Sequence, residues 1–379
     1  MKIASIRGYE VACKLPEPQG NSTGFFDERV SLIVSVTLDN GVTGWGETWH
    51  SPAAAAGFIR KALAPMLIGL DTAAPQRLWR RMMDRVGYDR RGASVMAVSA
   101  LDMALWDAAA RSADAPLSQL LGGALRNRIR AYASGPFLKP GDDPYRDFPR
   151  EIEAYLRAGF TAVKMRMGTT PQGDGRMART AREIVGPEVL LMADLNEGFT
   201  AKAAERIAAA VADANLLWLE EPILPDDLPG YRRLSSSLPM ALAGGEALSG
   251  LSAFRDFIAA GAFDIVQPDL AICGGVTEGL RIAALADAFD VPVVPHVWGT
   301  GINFHASLQF ASVLPMKRGG AVAYPLFEYD VSPNPLRSCF GELEVGAGGT
   351  VAVPDAPGIG IEVAPERFGK FITEEWRVG

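Results

Sequence analysis

The alternation of apolar and polar positions changes character near residue 128. Before it, residues 31–47 read SLIVSVTLDNGVTGWGE, with apolar side chains at alternate places, a turn at Asp39, Asn40 and Gly41, and a second short run. That is the pattern of a β-hairpin. Residues 3–15 supply a third strand. Residues 16–27 (PEPQGNSTGFFD) are rich in Gly, Pro and polar side chains and have no period, which predicts a loop long enough to act as a lid. Helical periods follow over residues 53–70, 74–86 and 94–113, the last placing Val98, Leu101, Ala104, Leu105 and Ala108 on one face. Residues 1–125 are therefore expected to form an α+β unit.

Beyond residue 128 the texture becomes strand followed by helix, repeated. Apolar strand candidates lie at 129–134, 162–167, 189–194, 216–220, 240–244, 264–268, 292–295 and 326–327, with helical segments such as 149–158, 201–214 and 276–289 between them. Such alternation predicts an α/β domain over residues 126–328, a (β/α)7β modified TIM barrel with a final strand in place of the eighth full unit. Residues 329–379 form a tail with strand-like runs at 343–345, 350–353 and 360–363, expected to return to the N-terminal unit.

In a barrel of this kind chemistry gathers where the strands end. The polar residues terminating the strands are Lys164 and Arg166, Asp194 and Asn196, Glu220, Glu246, Asp269, His296 and Glu328. From Lys164 onward the intervals are 30, 26, 26, 23, 27 and 32 residues, each about one strand-helix unit, so seven consecutive strands deliver a titratable group to one mouth. Asp194, Glu220 and Glu246 end adjacent strands. Three unpaired carboxylates there would repel one another unless a proton or a cation holds them. An oxygen-only donor set selects a hard cation, with Mg²⁺ ahead of Mn²⁺ and Ca²⁺. Lys164 and Arg166, two apart on one strand, point the same way and suit an anionic substrate. Asp269 can fix one nitrogen of His296 and leave the other as a base.

Composition narrows the alternatives. With 48% hydrophobic and 21% charged residues there is ample material for a large core. The balance of 37 basic and 44 acidic side chains, without a basic run, disfavours a nucleic-acid partner. Cys13, Cys273 and Cys339 are too few and too scattered for a disulfide framework or a thiolate zinc site, which fits a reducing cytoplasm. Lys2, Arg7, Glu10 and Lys14 interrupt any signal-peptide core. The uncharged stretch 291–316 contains prolines and His296, Asn303, His305 and Gln309, so no membrane span is expected there. Of the chain's three histidines, His305 falls in a predicted helix and is expected to be structural.

The stretches SALDMALWD, VKMRMG, MADLNEG, WLEEP, AGGE, VQPDLAICGGVTE, VPHVWGTG and FEYDVSPNPLR with VPDAPGIGIEV carry a resemblance over essentially the whole chain. The sequence is identified as a member of the enolase superfamily, in its mandelate racemase and muconate lactonizing branch, and is most similar to enzymes of the galactarolactone cycloisomerase and acid-sugar dehydratase type. The resemblance implies that Asp194, Glu220 and Glu246 bind Mg²⁺. It places Lys164 and Arg166 on one face of the substrate, the His296 and Asp269 dyad on the other, and Glu328, expected to be protonated, in a hydrogen bond to the substrate carboxylate or the developing enediolate. The N-terminal unit becomes a capping domain, completed by the C-terminal tail, and the assembly a homo-oligomer acting on a small-molecule sugar acid or lactone. Asn196, His50, Thr23 and Trp298 are the expected substrate contacts, with Asn21 and Ser22 as further hydroxyl partners and Phe25, Phe26 and Trp49 shutting out water.

The implied reaction is removal of the proton α to a carboxylate, through an enediolate, followed by β-elimination in a lyase (hydro-lyase) or a lactone cycloisomerase. Many relatives carry a second lysine where this chain has Arg166, and a guanidinium is a poor base. A racemase or epimerase working by 1,1-proton transfer is the alternative. A non-enzymatic barrel would be expected to have lost its triad or its base, and this chain retains both.

Overall fold

The computed structural model describes residues 1–320 and 322–379. Strands β1 (Ile3–Asn21), β2 (Gly24–Leu38) and β3 (Thr43–Thr48) form an antiparallel sheet near the N-terminus. The alternation in β2 sends Leu32, Val34, Val36 and Leu38 to one face, against the helices Pro52–Phe58, Pro75–Val86 and Ala93–Ser112. Ile33, with Tyr9, Val11 and Trp45, joins the core that runs into the second domain. In β3 the same period places Gly44 and Gly46 toward helix Ala93–Ser112. A Cβ at either glycine would collide with the helix backbone, at Ala104 and Ala108 or at Ala100, so sheet and helix meet backbone to backbone. That helix is long and apolar enough to cross a membrane, but it is buried in the core.

The stretch expected to be a loop is ordered instead. β1 and β2 continue into a hairpin arm through the pairs Gln19↔Phe26 and Gly20↔Phe25, with the register shifting between Lys14 and Gln19. Gly20 also exchanges hydrogen bonds with Leu138, and the Ser22 hydroxyl donates to the Leu195 carbonyl, so the arm lies against the mouth of the next domain.

That domain is built on a curled sheet whose barrel strands run parallel: β4 (Arg128–Ser134), β5 (Ala162–Arg166), β6 (Leu190–Asp194), β7 (Trp218–Glu220), β8 (Ala241–Gly244) and β9 (Ile265–Val266) pair in sequence order. After the two-stranded β10 (Lys317–Gly319) and β11 (Val322–Tyr324), β12 (Phe327–Asp330) returns to pair with β4. The expected strand at 292–295 contributes only the bridge Val266↔Val293, because Pro292 and Pro295 have no N–H to offer a ladder. Side chains close what the ladder leaves open: Tyr132, Ala162, Met192, Trp218, Ala243, Ile265, Val294 and Leu326 form one buried cluster filling the inside.

The tail divides. β13 (Thr350–Ala352) pairs with β4 of the barrel, whereas β14 (Ile372–Val378) pairs with β1 and completes the four-stranded N-terminal sheet. The apolar runs at 343–345 and 360–363 are not strands.

Buried polar bolts join the two domains. Asp102, on the long helix, accepts from the Thr277 amide and hydroxyl, both at 2.8 Å, at the start of helix Gly275–Ala288. Burial pushes the Asp102 carboxyl from its ordinary 3.8 up to about 8, against the hydrogen bonds from Thr277. The folded chain thus holds this proton where the unfolded chain has released it, and the stability it confers is lost as pH rises through that window. Asp102→Asn keeps the acceptor for the Thr277 amide, and the Thr277 hydroxyl can turn to accept from the new amide. Its melting temperature relative to the unmodified protein is expected to rise steadily from pH 5 to pH 8; a difference independent of pH would refute the assignment.

Candidate active site

Each barrel strand delivers its terminal side chains to one end, and there the sequence-predicted residues meet. Ligating oxygens of Asp194, Glu220 and Glu246 lie within 4.8 Å of one another. Asp194 is fixed by the Asn196 amide, which donates to its Oδ1 at 2.8 Å. Glu220 Oε2 accepts from Trp218 Nε1 and Gln267 Nε2, each at 2.8 Å, leaving Oε1 to face Lys164. Glu246 is held less tightly. Among the described residues its buried Oε2 has no hydrogen-bond partner, although His296 Nε2 stands 3.3 Å away out of line.

The two cations of β5 lie beside these acids. Lys164 Nζ contacts Glu220, reaches Glu328 Oε1 at 2.8 Å and stands 3.6 Å from Asp194 Oδ2. Arg166 pairs with Asp194, donates to Ser134 Oγ at 3.3 Å and lies over the Phe137 ring. Burial alone would push both cations down, but the carboxylates outweigh it and hold both above their ordinary ranges. Neither is free to accept a proton. Arg166 lines the cavity, while Lys164 is wholly buried and is not among the residues lining it.

Glu328 departs from expectation. It accepts from Ser134 Oγ at 2.6 Å, from the Val297 amide at 3.0 Å and from Lys164, an environment of donors that suits a carboxylate and not a protonated acid. Burial raises its pKa, yet Lys164, His296 and Arg166 together hold it well below the usual carboxylate range. Ser134 was absent from the strand-end residues because counting began one strand later, at Lys164.

His296 Nδ1 is 2.8 Å from Asp269 Oδ2. Asp269 also receives Trp49 Nε1 on Oδ2 at 2.8 Å, and Asn303 Nδ2 at 3.0 Å and the Ala271 amide at 2.7 Å on Oδ1. Three donors already sit on the carboxylate, which is therefore an acceptor toward His296 as well. The imidazole therefore carries its hydrogen on Nδ1 and turns Nε2 to the cavity. Burial pushes His296 down, but Glu246, Glu328 and Asp269 outweigh it and take its pKa to about 10, so without a cation on the three acids Nε2 holds a proton as well; a divalent ion there would offset Glu246 and free Nε2 to act as a base.

Above these groups lies a cavity of two lobes, about 410 and 360 Å³, which share Asn21, Trp49, His50, Asn196 and Glu246. Trp298 walls the first lobe, with the Arg29 guanidinium 4.0 Å from its ring centre. Thr23 lines the second and is bonded to Asn21 Oδ1. Asn196 has a buried Oδ1 without a partner, and His50 is an exposed rim residue bonded to Ser51. His305 lies outside this group, buried within helix Gly301–Val313. Sequence reasoning overlooked Arg29, which no motif marks, and Glu221, the second acid of WLEEP, whose Oε1 accepts from the Gly245 amide behind Glu246.

Four carboxylates, Asp194, Glu220, Glu246 and Glu328, thus face two fixed cations in one mouth, with Asp269 behind His296. The donor set is all oxygen, and Glu246 Oε2 and Asn196 Oδ1 are left unpaired. These residues fit a hard divalent cation.

Comparison with known proteins agrees in extent and in kind. Residues 147–367 match the family model described as enolase C-terminal domain-like, and residues 5–122 match the N-terminal domain of mandelate racemase / muconate lactonizing enzyme. The chain is 35% identical over 374 residues to D-galactarolactone cycloisomerase of Agrobacterium fabrum, covering 98% of this chain and 99% of that one. It is 31% identical to L-rhamnonate dehydratase of Saccharopolyspora erythraea, over 93% of this chain and 88% of that protein. A racemase from Streptomyces coelicolor, solved with bound magnesium, superposes with a TM-score of 0.86 at 28% identity, covering 98% of this chain and 100% of that one.

Proposed function

We propose a function from a fixed premise: the chain belongs to the mandelate racemase / muconate lactonizing enzyme family of the enolase superfamily and is an enzyme of its isomerase and lyase kind. It removes the proton α to the carboxylate of a sugar acid or its lactone and then expels a group from the β-carbon. The observation that carries this is the opposition of His296 Nε2, aimed by Asp269, to a cluster of three carboxylates with two cations at its side.

Asp194, Glu220 and Glu246 would hold Mg²⁺, which when bound supplies positive charge where the substrate carboxylate gains electron density. A His or Lys base working with Mg²⁺ against an enediolate is this superfamily's general arrangement. Here Arg166 faces the same carboxylate from the cavity wall, and the buried Lys164 adds fixed positive charge behind it. Glu328 positions Lys164 and the Val297 amide rather than donating a proton. His296 takes the α-proton on Nε2. In a dehydration the β-hydroxide leaves, His296 returns the proton to it, and the products are water and a 2-keto-3-deoxy acid. In a lactone the ring carboxylate is the leaving group, and the product is the ring-opened isomer. Proton transfer on both faces, as in a racemase, is disfavoured because the opposite side offers only Arg166 and the engaged Lys164. The hairpin arm, with His50, Thr23 and Asn196 at the rim and Trp298 in the wall, selects the hydroxyl pattern. The three unpaired cysteines suit a reducing cytoplasm.

A screen of sugar acids and their lactones with Mg²⁺, followed by NMR in D₂O, tests this. A member of the set is expected to be consumed with formation of a keto acid. Recovery of substrate deuterated at the α-carbon in both configurations, without product, would replace the lyase or cycloisomerase with an epimerase.

A further inference from the structure

The base is not built by the barrel alone. Strand β3 alternates, so that Trp45, Glu47 and, just past its end, Trp49 face the barrel while Gly44, Gly46 and Thr48 face away. Glu47 Oε1 accepts from the Thr300 amide at 2.8 Å, and its Oε2 from the Asn303 amide at 3.0 Å and from the Thr300 hydroxyl. It thereby clamps the start of helix Gly301–Val313, the helix whose Asn303 reaches Asp269. Two residues further on, Trp49 donates its indole N–H straight to Asp269 Oδ2, the oxygen that His296 Nδ1 engages. One strand of the N-terminal domain therefore reaches the catalytic carboxylate twice, once directly and once through Asn303.

We propose that Trp49 is a positioning residue for the base: its indole N–H, delivered by the N-terminal sheet, orients the Asp269 carboxylate and through it the tautomer and aim of His296. This rests on His296 being the base. Without the indole donor, Oδ2 keeps only the imidazole, and the carboxylate is free to turn about its remaining bonds to Asn303 and Ala271. Because the donor comes from the capping side, the His–Asp pair is complete only with that domain seated. The base is thereby tied to closure of the cavity that must exclude water.

The test is Trp49→Phe in the Mg²⁺-loaded enzyme, with two readouts. Loss of the outer hydrogen bond behind a metal-ligating histidine typically costs roughly 10- to 100-fold in activity, and a loss of that order is expected here in kcat. Because Trp49 also lines both lobes of the cavity, an isosteric analogue, which keeps the wall, is the variant expected to leave KM little changed. Independently of turnover, ¹⁵N-histidine labelling gives only three ring systems, from His50, His296 and His305. At one fixed pH the His296 ring nitrogens of the variant are expected to shift toward a mixture of tautomers, while those of His305 stay in place. Should Trp49→Phe not fold, the isosteric tryptophan analogue with sulfur in place of the ring N–H, installed at position 49 alone, takes its place and carries the same expectations. Unchanged kcat and unchanged His296 signals, with His296→Asn inactive, would overturn the role of Trp49 and leave the base standing. Full activity in His296→Asn would overturn the base itself and the proposal with it.

Discussion

His296→Asn is expected to lower turnover by about 10²- to 10⁴-fold, the usual contribution of a positioned acid or base, and to abolish exchange of the substrate α-proton with solvent. The protein should fold and melt nearly as before. His296 is buried, so an arbitrary replacement would leave Asp269 short of a donor, but an asparagine amide can supply one in place of Nδ1–H, and Trp49, Asn303 and the Ala271 amide remain on the carboxylate. A loss of activity in a well-folded variant therefore reports on Nε2 and not on the network behind it. Steady-state kinetics, NMR exchange in D₂O and a thermal melt together make the check. Full turnover would show that another group takes the proton, and the two cations of β5 are poorly suited to do so.

How much of this was open to reading in the sequence depends on the range of the contact. The strand-end spacing needed only local rules, a strand and a helix of ordinary length repeated, and it brought Asp194, Glu220, Glu246, Asp269 and His296 together. What failed is instructive. The prolines at 292 and 295 were visible, yet apolar content made that segment look like a full strand, and missing N–H groups reduced it to a single bridge. The Pro- and Gly-rich run at 16–27 looked like a loop because its order comes from pairing across the hairpin and from Leu138 and Leu195, far along the chain. The strand Ile372–Val378 carries too many charges to stand out from a tail, and only its partner β1 makes it a strand. Glu328 was found by position, but the proton expected from the resemblance does not suit the donors around it, which neither spacing nor a motif reveals. The bond from Trp49 to Asp269 crosses 220 residues and two domains, and no pattern of spacing encodes such a pairing.

Removing the cation, or the ligand least supported by protein, should be as damaging as removing the base. Glu246 is the proposed ligand of that kind: Arg166 holds Asp194, while Lys164, Trp218 and Gln267 hold Glu220, but among the described residues Glu246 Oε2 has no hydrogen bond. Protein stripped with a chelator is expected to be inactive and to regain activity with Mg²⁺. Glu246→Gln is expected to be inactive at any practical Mg²⁺ concentration. A second readout does not depend on turnover. A ligand that binds only the folded chain stabilises it by about 2.7 kcal/mol at a hundred times its dissociation constant. The melting temperature of the unmodified protein should therefore climb with added Mg²⁺, and that of Glu246→Gln should not. The charge arrangement gives the reason for a large effect. Burial raises the pKa of both Glu220 and Glu246, with Lys164 and His296 as their respective leading counterweights, so the metal-free site already spends its cations on its own acids. A divalent ion on the triad would neutralise those acids and leave Arg166 available to an incoming carboxylate. Turnover that survives chelation, together with a melting temperature indifferent to Mg²⁺, would mean that the three carboxylates are held by Lys164 and Arg166 alone and that the reaction proceeds without a metal.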